Sequence, residues 1–166
     1  MQSKCLVCES NMSPSKSYPG LLKCFSCGFL TADIKLSTED AARLYGIDYF
    51  HGQEYSDYTR DKVILQRNFS RRIDVLKKYI KDSHVGLLEI GCAYGFFLDL
   101  VKDEFRSVVG IDISFGAVEY AQSVLDVNAI SGNFLDMEMK PYDVCCMWDT
   151  IEHISSPGLF IRKISE

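Results

Sequence analysis

The sequence predicts an α/β chain: a short parallel sheet interleaved with helices, preceded by a small cysteine-rich module. Three observations predict it. From residue 85 onward, apolar runs of strand length alternate with stretches of helical length, a pattern that implies parallel strands joined by right-handed crossovers. The loop after the first of these runs is rich in small residues, and four cysteines within residues 1–30 form two matched pairs. The bulk properties agree. The chain has 166 residues, 47% hydrophobic and 25% charged, which suits one domain or a small domain plus part of another and excludes disorder. No apolar run approaches the roughly 18 residues of a membrane span. The start, Met1-Gln-Ser-Lys-Cys-Leu-Val-Cys, has no secretory pattern. A net charge of −5 argues against a surface built wholly for nucleic acid.

The first element is the cysteine module, residues 1–30. Cys5-x2-Cys8-x15-Cys24-x2-Cys27 has the spacing of a tetrahedral zinc site. A Cys-x2-Cys pair on a tight turn brings two sulfurs to one point, and two such turns supply four thiolates. Gly28 suits the positive φ such a turn needs, and Pro14, Pro19 and Gly20 suggest a hairpin between the pairs. Four reduced structural thiols or a redox pair are the alternatives. A four-cysteine site has no open position, so its metal would be structural and would supply much of the folding energy of so small a module. Seven cysteines without an export signal point to a reducing, cytoplasmic setting rather than to disulfides.

Residues 31–84 read as a helical, aromatic connector and lid. Ser37-Thr38-Glu39-Asp40 is a helix start before Ala41–Tyr45, and Tyr45, Tyr49, Phe50, His51, Tyr55 and Tyr58 follow. Leu65, Phe69, Ile73, Leu76 and Ile80 fall at helical spacing over 60–81. This stretch carries a local balance of +6, which is either a solvated face or a steering patch for an anionic substrate.

The remaining elements alternate. Strands are expected over 85–90, 107–112, 128–131 and 142–148; helices are expected from Gly95 to Glu104, from a Ser114 cap to Leu125, and from Ser156-Pro157 onward. Ligands of such sheets bind at the carboxyl ends of the strands. The loop there reads Glu89-Ile90-Gly91-Cys92-Ala93-Tyr94-Gly95-Phe96. A dinucleotide fingerprint needs a small residue where Phe96 stands, and Glu89 would repel a pyrophosphate. Glu89 instead suits a ligand with an ammonium and a sulfonium charge and no phosphate, which describes S-adenosylmethionine. Asp112 ends the second strand, where a carboxylate can accept both ribose hydroxyls. Taken singly, Gly91 is a turn residue and Asp112 a helix cap; the set of Glu89, Gly91, Gly95 and Asp112 points to a cofactor.

At these residues the sequence resembles the class I S-adenosylmethionine-dependent methyltransferases. LLEIGCAYGFFLDL, VVGIDIS, AISGNFLD and YDVCCMWDTIEHISSPGLFIRKI are similar to the successive cofactor motifs, in order. The zinc pairs and DYFHGQEYSDYTRDK resemble the N-terminal extension of a subgroup associated with methylation of sugars, polysaccharide precursors and other small molecules. The resemblance implies a partial Rossmann-like sheet of order 3-2-1-4 over 85–166. It implies that Glu89, Gly91, Cys92, Ala93 and Gly95 hold the methionine end, that Asp112 binds the ribose, and that Ile113 packs on the adenine. It places Asn133 and Phe134 beside the adenine edge and Asp149 by the methyl-transfer site. Ala93 stands where the family usually has Gly, and Asn133 where it usually has Asp. Glu152-His153 is similar to a pair in which the histidine could serve as general base, or simply pack at the start of the last helix. Tyr49, Phe50, Tyr55 and Tyr58 could form a lid, or ordinary helix packing. Cys92, Cys145 and Cys146 read as small core residues as well.

The family continues with three further strands, which supply most of the substrate wall, whereas this sequence ends at Glu166. The expectation is therefore a fragment, a truncated gene or half of a complex, weakly active alone, with 144–148 as an open apolar edge for self-association. The expected partner is a small-molecule methyl acceptor, with no membrane and no nucleic acid. The alternative is a zinc-bearing binding module with a vestigial cofactor half. Only Lys4, Lys16 and Lys23 are basic within residues 1–30, few for a phosphate-tracking surface. An NAD-linked oxidoreductase is disfavoured by Phe96 and Glu89.

Overall fold

The computed structural model describes residues 3–33 and 59–166. The expected helix start at 37–40 and the aromatic residues 45–58 lie outside the described residues. The described residues form two compact units, one of 3–33 with 154–166 and one of 59–153. None of their helices is long and apolar enough to cross a membrane.

The first unit opens with a three-stranded antiparallel sheet, β1 (Met12–Pro14), β2 (Leu21–Cys24) and β3 (Leu30–Ala32), in that order. Gly20 and Gly28 turn the chain with φ of 82° and 83°, a region open to glycine and strained for other residues. The unit closes over four buried residues: Cys5, Met12, Leu22 and Cys24. Its second part is the last helix of the chain, Pro157–Ser165, with proline at its first position. The Gly158 N–H donates to the Leu6 carbonyl (3.1 Å). A Cβ at Gly158 would come within 2.6 Å of that oxygen and 2.8 Å of the Val7 oxygen. Only glycine lets the helix approach the first cysteine knuckle so closely.

The second unit holds, in chain order, α1 (Lys62–Leu76), β4 (Gly86–Ile90), α2 (Phe96–Val101), β5 (Ser107–Asp112), α3 (Phe115–Leu125), β6 (Ala129–Ser131) and β7 (Val144–Cys146), so the Pro157–Ser165 helix is α4. The sheet is parallel with order β6-β5-β4-β7, the expected 3-2-1-4. β4 is buried at all five positions, as the central strand of a covered parallel sheet should be. Phe96, Phe97, Leu98 and Val101 of α2 fill the core against Leu87, Val118 and Ala121. Gly110 allows this packing: a Cβ there would come within 2.6 Å of Leu98 and Cys92 atoms. No described strand pairs with the outer edge of β7.

Several boundaries differ from expectation. The helix expected over 60–81 stops at Leu76, because Lys78 and Tyr79 donate to Val75 and Leu76, closing three-residue turns. The helix expected from Gly95 to Glu104 spans Phe96–Val101, since Gly95 sits at φ 74° and cannot join a right-handed helix. The strand expected over 142–148 pairs only at 144–146. Asp143 before it accepts the Val85 and Gly86 N–H groups (2.8 and 2.9 Å), and these bonds, Gly86 first, hold its carboxyl below the usual range. The Ser114 cap is present, accepting from the Ala117 N–H at 3.4 Å.

Candidate cofactor and metal sites

The carboxyl ends of β4 and β5 bring the expected residues together. Loop 91–95 alternates left-handed and ordinary backbone: φ is 79° at Gly91, 44° at Ala93 and 74° at Gly95. The Ile111 carbonyl accepts from both Gly91 (2.7 Å) and Cys92 (3.1 Å), and the Cys92 carbonyl accepts from Gly95 (2.8 Å). The Cys92 side chain is buried in the core, and burial pushes its thiol far up, so this cysteine shapes the loop with its backbone. A Cβ at Gly95 would meet Ala121 and Val127, and one at Gly91 would run into the Thr150 side chain. Both glycines therefore answer a close approach as well as a positive φ.

Asp112 locks the loop from β5. Its Oδ2 accepts from the Ala93 N–H and its Oδ1 from the Ser114 N–H, both at 2.8 Å. With the Ile113 N–H also drawn to it, the carboxylate still has lone-pair capacity for a ligand. Burial raises the Asp112 carboxyl, against the pull of those backbone bonds. Glu89 is 2% exposed, and its Oε2 has no hydrogen-bond partner among the described residues. Burial first, and the Asp112 charge second, hold its carboxyl well above its ordinary value, while Arg72 opposes them. A buried acceptor left unmade costs about 1–3 kcal/mol, so this oxygen asks for a donor, best a cation.

The residues expected beside the adenine lie beyond β5 and β6. Ile113 is exposed, and Phe134 is buried behind it in sequence on a short 3-10 turn, 134–136. Asn133 caps that turn: its Oδ1 accepts from the Leu135 N–H (3.2 Å) and its Nδ2 donates to Asp136 (2.9 Å). At the end of β7, Asp149 stands at φ 51° with both oxygens held by Arg72, at 2.7 and 2.9 Å. The Arg72 guanidinium also lies 5.4 Å from each of the Phe69 and Trp148 ring centroids. The Trp148 Nε1 is buried without a partner among the described residues. His153 is exposed, on a 3-10 turn three residues before the Ser156 cap of α4.

Arg72, Trp148 and Thr150 are site residues that the sequence did not single out. Arg72 was one cation among many on a basic helix, and no local spacing pairs it with a carboxylate 77 residues later. The uniqueness of Trp148 in the composition was the one usable signal.

In the first unit the four sulfurs of Cys5, Cys8, Cys24 and Cys27 lie within 4.8 Å of one another. Cys5–Cys27 and Cys8–Cys24 are 3.6 and 3.4 Å apart, far beyond a disulfide. A tetrahedron of thiolates about 2.3 Å from zinc has edges of roughly 3.8 Å, so the cluster fits such an ion. Hydrogen bonds from Ser10, side chain and then backbone, bring Cys8 down to about 6. Cys27 moves the other way, to about 12: the Phe29 N–H pulls it down, and burial with hydrogen bonds to its neighbouring sulfurs outweighs that pull. Four thiolates at one point repel, and a divalent cation removes the conflict.

Residues 60–166 match the family model described as a methyltransferase domain. A Mus musculus protein, EEF1A lysine methyltransferase 2, is 30% identical over 121 residues, covering 67% of this chain and 49% of its own. The chain thus spans about half the length of this curated relative. The fold is similar to that of the magnesium protoporphyrin IX methyltransferase from Synechocystis PCC 6803, solved with bound S-adenosylmethionine. That match has a TM-score of 0.59 and 17% identity, over 80% of this chain and 73% of that one. The plantazolicin methyltransferase BpumL, solved with S-adenosylhomocysteine, gives a TM-score of 0.58 and 19% identity, over 76% and 56%.

Proposed function

The chain belongs to the class I S-adenosylmethionine-dependent methyltransferase family, and from that premise we propose that it methylates a nucleophilic atom of a small molecule, a sugar or polysaccharide precursor being the first class to test. The observation that carries this is the buried Glu89 oxygen, unpartnered among the described residues, two residues before a glycine loop that Asp112 locks. An ammonium group satisfies that oxygen, and a pyrophosphate is repelled by it. The named acceptors of the relatives are a porphyrin, plantazolicin and a lysine, so the choice of a small molecule rests on the resemblance of the N-terminal extension.

S-adenosylmethionine, when bound, supplies an electrophilic methyl group on a sulfonium. Glu89 holds the ammonium of its methionine end, and Gly91, Cys92, Ala93 and Gly95 shape the loop against it. Asp112 accepts the ribose hydroxyls through the lone pairs its backbone bonds leave open. Ile113, Asn133 and Phe134 frame the adenine, with the Asn133 amide already committed to capping its own turn. Asp149 lies on the acceptor side. Displacement at a sulfonium is favourable, so placement of the acceptor supplies most of the rate. His153 takes the proton from an acceptor hydroxyl. The four cysteines hold a structural zinc, and a reducing, cytoplasmic setting keeps them from forming disulfides. The outer edge of β7 offers a site for self-association.

Calorimetric titration of the zinc-loaded chain with S-adenosylhomocysteine, with NAD as control, tests this. Micromolar binding that is lost in Asp112→Ala, with none for NAD, is expected, followed by transfer of labelled methyl groups to small-molecule acceptors. A folded chain that binds no S-adenosylhomocysteine overturns it. Replacing His153 by Ala should lower turnover on a hydroxyl acceptor at least tenfold and leave that binding unchanged.

A further inference from the structure

The last helix of the chain starts on the first cysteine pair. α4 has nine residues, short of the roughly 12–15 at which an isolated helix becomes marginal in water. Its first turn lacks the usual local help. Ser156 at the N-cap makes no side-chain bond, and Pro157 has no N–H to satisfy. The next donor is the Gly158 N–H, and its partner comes from the opposite end of the sequence, the Leu6 carbonyl at 3.1 Å. Pro157 and Gly158 are the buried residues of the helix. A Cβ at Gly158 would meet the Leu6 and Val7 oxygens and, at 3.2 Å, the Val7 Cα. The helix therefore rests on backbone between Cys5 and Cys8. The Arg162–Glu9 pair, at 3.8 Å with side chains 55% and 80% exposed, adds little. Phe160 and Lys163 have interactions of their own farther along, so the first turn is the part of α4 that the cysteine pair governs.

One peptide group joins this contact to the sulfur cluster. The carbonyl of Leu6 and the N–H of Val7 belong to the same planar unit. That N–H donates to Cys5 Sγ at 3.4 Å, while that carbonyl accepts from Gly158. Bonds made through one peptide polarise each other, so a sulfur with more negative charge makes the carbonyl a better acceptor. Metal ligation supplies that charge, because cysteine binds a divalent ion as its thiolate. It also pins the chain at Cys5 and Cys8, on either side of the peptide. We propose that the four-cysteine cluster supplies the N-terminal cap of α4: a metal there fixes the Leu6–Val7 peptide between Cys5 Sγ and the Gly158 N–H, and so seats the first turn of the helix. The inference rests on the metal reading of the four cysteines and is independent of the cofactor. A metal held by residues 5–27 thus sets backbone order at 157–158, four residues after His153 in the chain.

Amide exchange at Gly158 reads this in the full chain, with the zinc-loaded protein compared with the same protein in a strong chelator. Exchange at least tenfold faster without zinc is expected. A Gly158 rate unchanged within twofold, in a chain whose residues 3–33 have lost protection, overturns the proposal. If the chain takes up no zinc, the metal reading and this inference fall together; uptake of one zinc with an unchanged Gly158 amide sinks the inference alone. Coupling acts equally in both directions, so the helix must in turn affect the metal. Gly158→Ala raises the intrinsic helix propensity of α4, yet places a Cβ against the Leu6 oxygen. Zinc affinity, read by competition with a chromophoric chelator, should fall about tenfold. Equal or tighter zinc binding would mean that α4 seats itself, and overturns the proposal. Leu159→Ala, at a position 46% exposed beside the contact, should keep zinc affinity within twofold. A tenfold loss there would mark general weakening of the helix and overturn the cap. If β4 and β5 also lose protection in chelator, the zinc affinity of Gly158→Ala decides; if Gly158→Ala fails to fold, the Gly158 exchange rates decide.

Discussion

The cysteine module closes over Cys5, Met12, Leu22 and Cys24, and two of those four belong to the sulfur cluster; the parallel-sheet unit closes over fifteen buried residues, with Leu87, Phe97 and Leu98 at its centre. The first has three strands of three or four residues and ladders to match. The second has a fully buried five-residue strand flanked on both sides. Apolar burial at roughly 25 cal/mol per Å² can hold the second together, and cannot hold the first. One chain thus joins a unit built around four cysteines able to hold a metal to a unit dependent on packing, and the two should fail under different insults.

Denying the four-cysteine cluster a metal should break the comparison most sharply. A structural zinc site contributes about 10–16 kcal/mol of binding free energy. A strong chelator, or Cys24→Ser at the most buried sulfur, should bring amide exchange in residues 3–33 to unfolded rates while β4 and β5 stay protected. Loss of protection in both units would show that packing in the sheet depends on the metal. The converse insult is Phe97→Ala, which should cost the sheet unit about 3–5 kcal/mol in denaturant and leave zinc affinity unchanged. Gly158→Ala should cost about 1–3 kcal/mol within the first unit, because its Cβ would meet two backbone oxygens. Faster amide exchange in α4 would report it.

Glu89 gives the sheet unit a pH dependence of its own. Its folded carboxyl lies above its ordinary value of 4.5, so the folded state holds its proton longer than the unfolded state does. Stability should fall as pH rises from about 4.5 toward the folded value and then level off. Denaturation midpoints across that window should flatten in Glu89→Gln, which removes the titrating group and weakens S-adenosylhomocysteine binding. Smallest is Ser114→Ala, which removes one long cap bond and should cost about 1 kcal/mol in the same unit.

Most of this architecture was legible in the sequence because it is written in short-range signals. The strand ending at Asp112, the Ser114 cap and the turn at Gly91 follow from periodicity, capping and turn chemistry, whereas the left-handed Gly95 stands where a helix start was expected. The four cysteines were legible because metal spacing is local. Helix ends were less so: α1 stops at Leu76 through a change in hydrogen-bond pattern that apolar spacing does not encode. Contacts across long separations were invisible. Nothing near Arg72 names Asp149, nothing near Gly91 names Thr150, and nothing near Pro157 tells that its helix joins the compact unit of the cysteine module. The burial of Glu89 was implied by its place on a central strand, whereas the orphaned state of its oxygen is a property of the packed structure.

The chain carries one tryptophan, and the fold puts it between the Arg72 guanidinium and the Phe97 ring. Its intrinsic emission is therefore a label-free optical gauge of that one place. A change in the seat of residues 148–150 alters the indole's surroundings directly, and excitation at the red edge of its absorption, where the nine tyrosines do not absorb, keeps their light out of the signal.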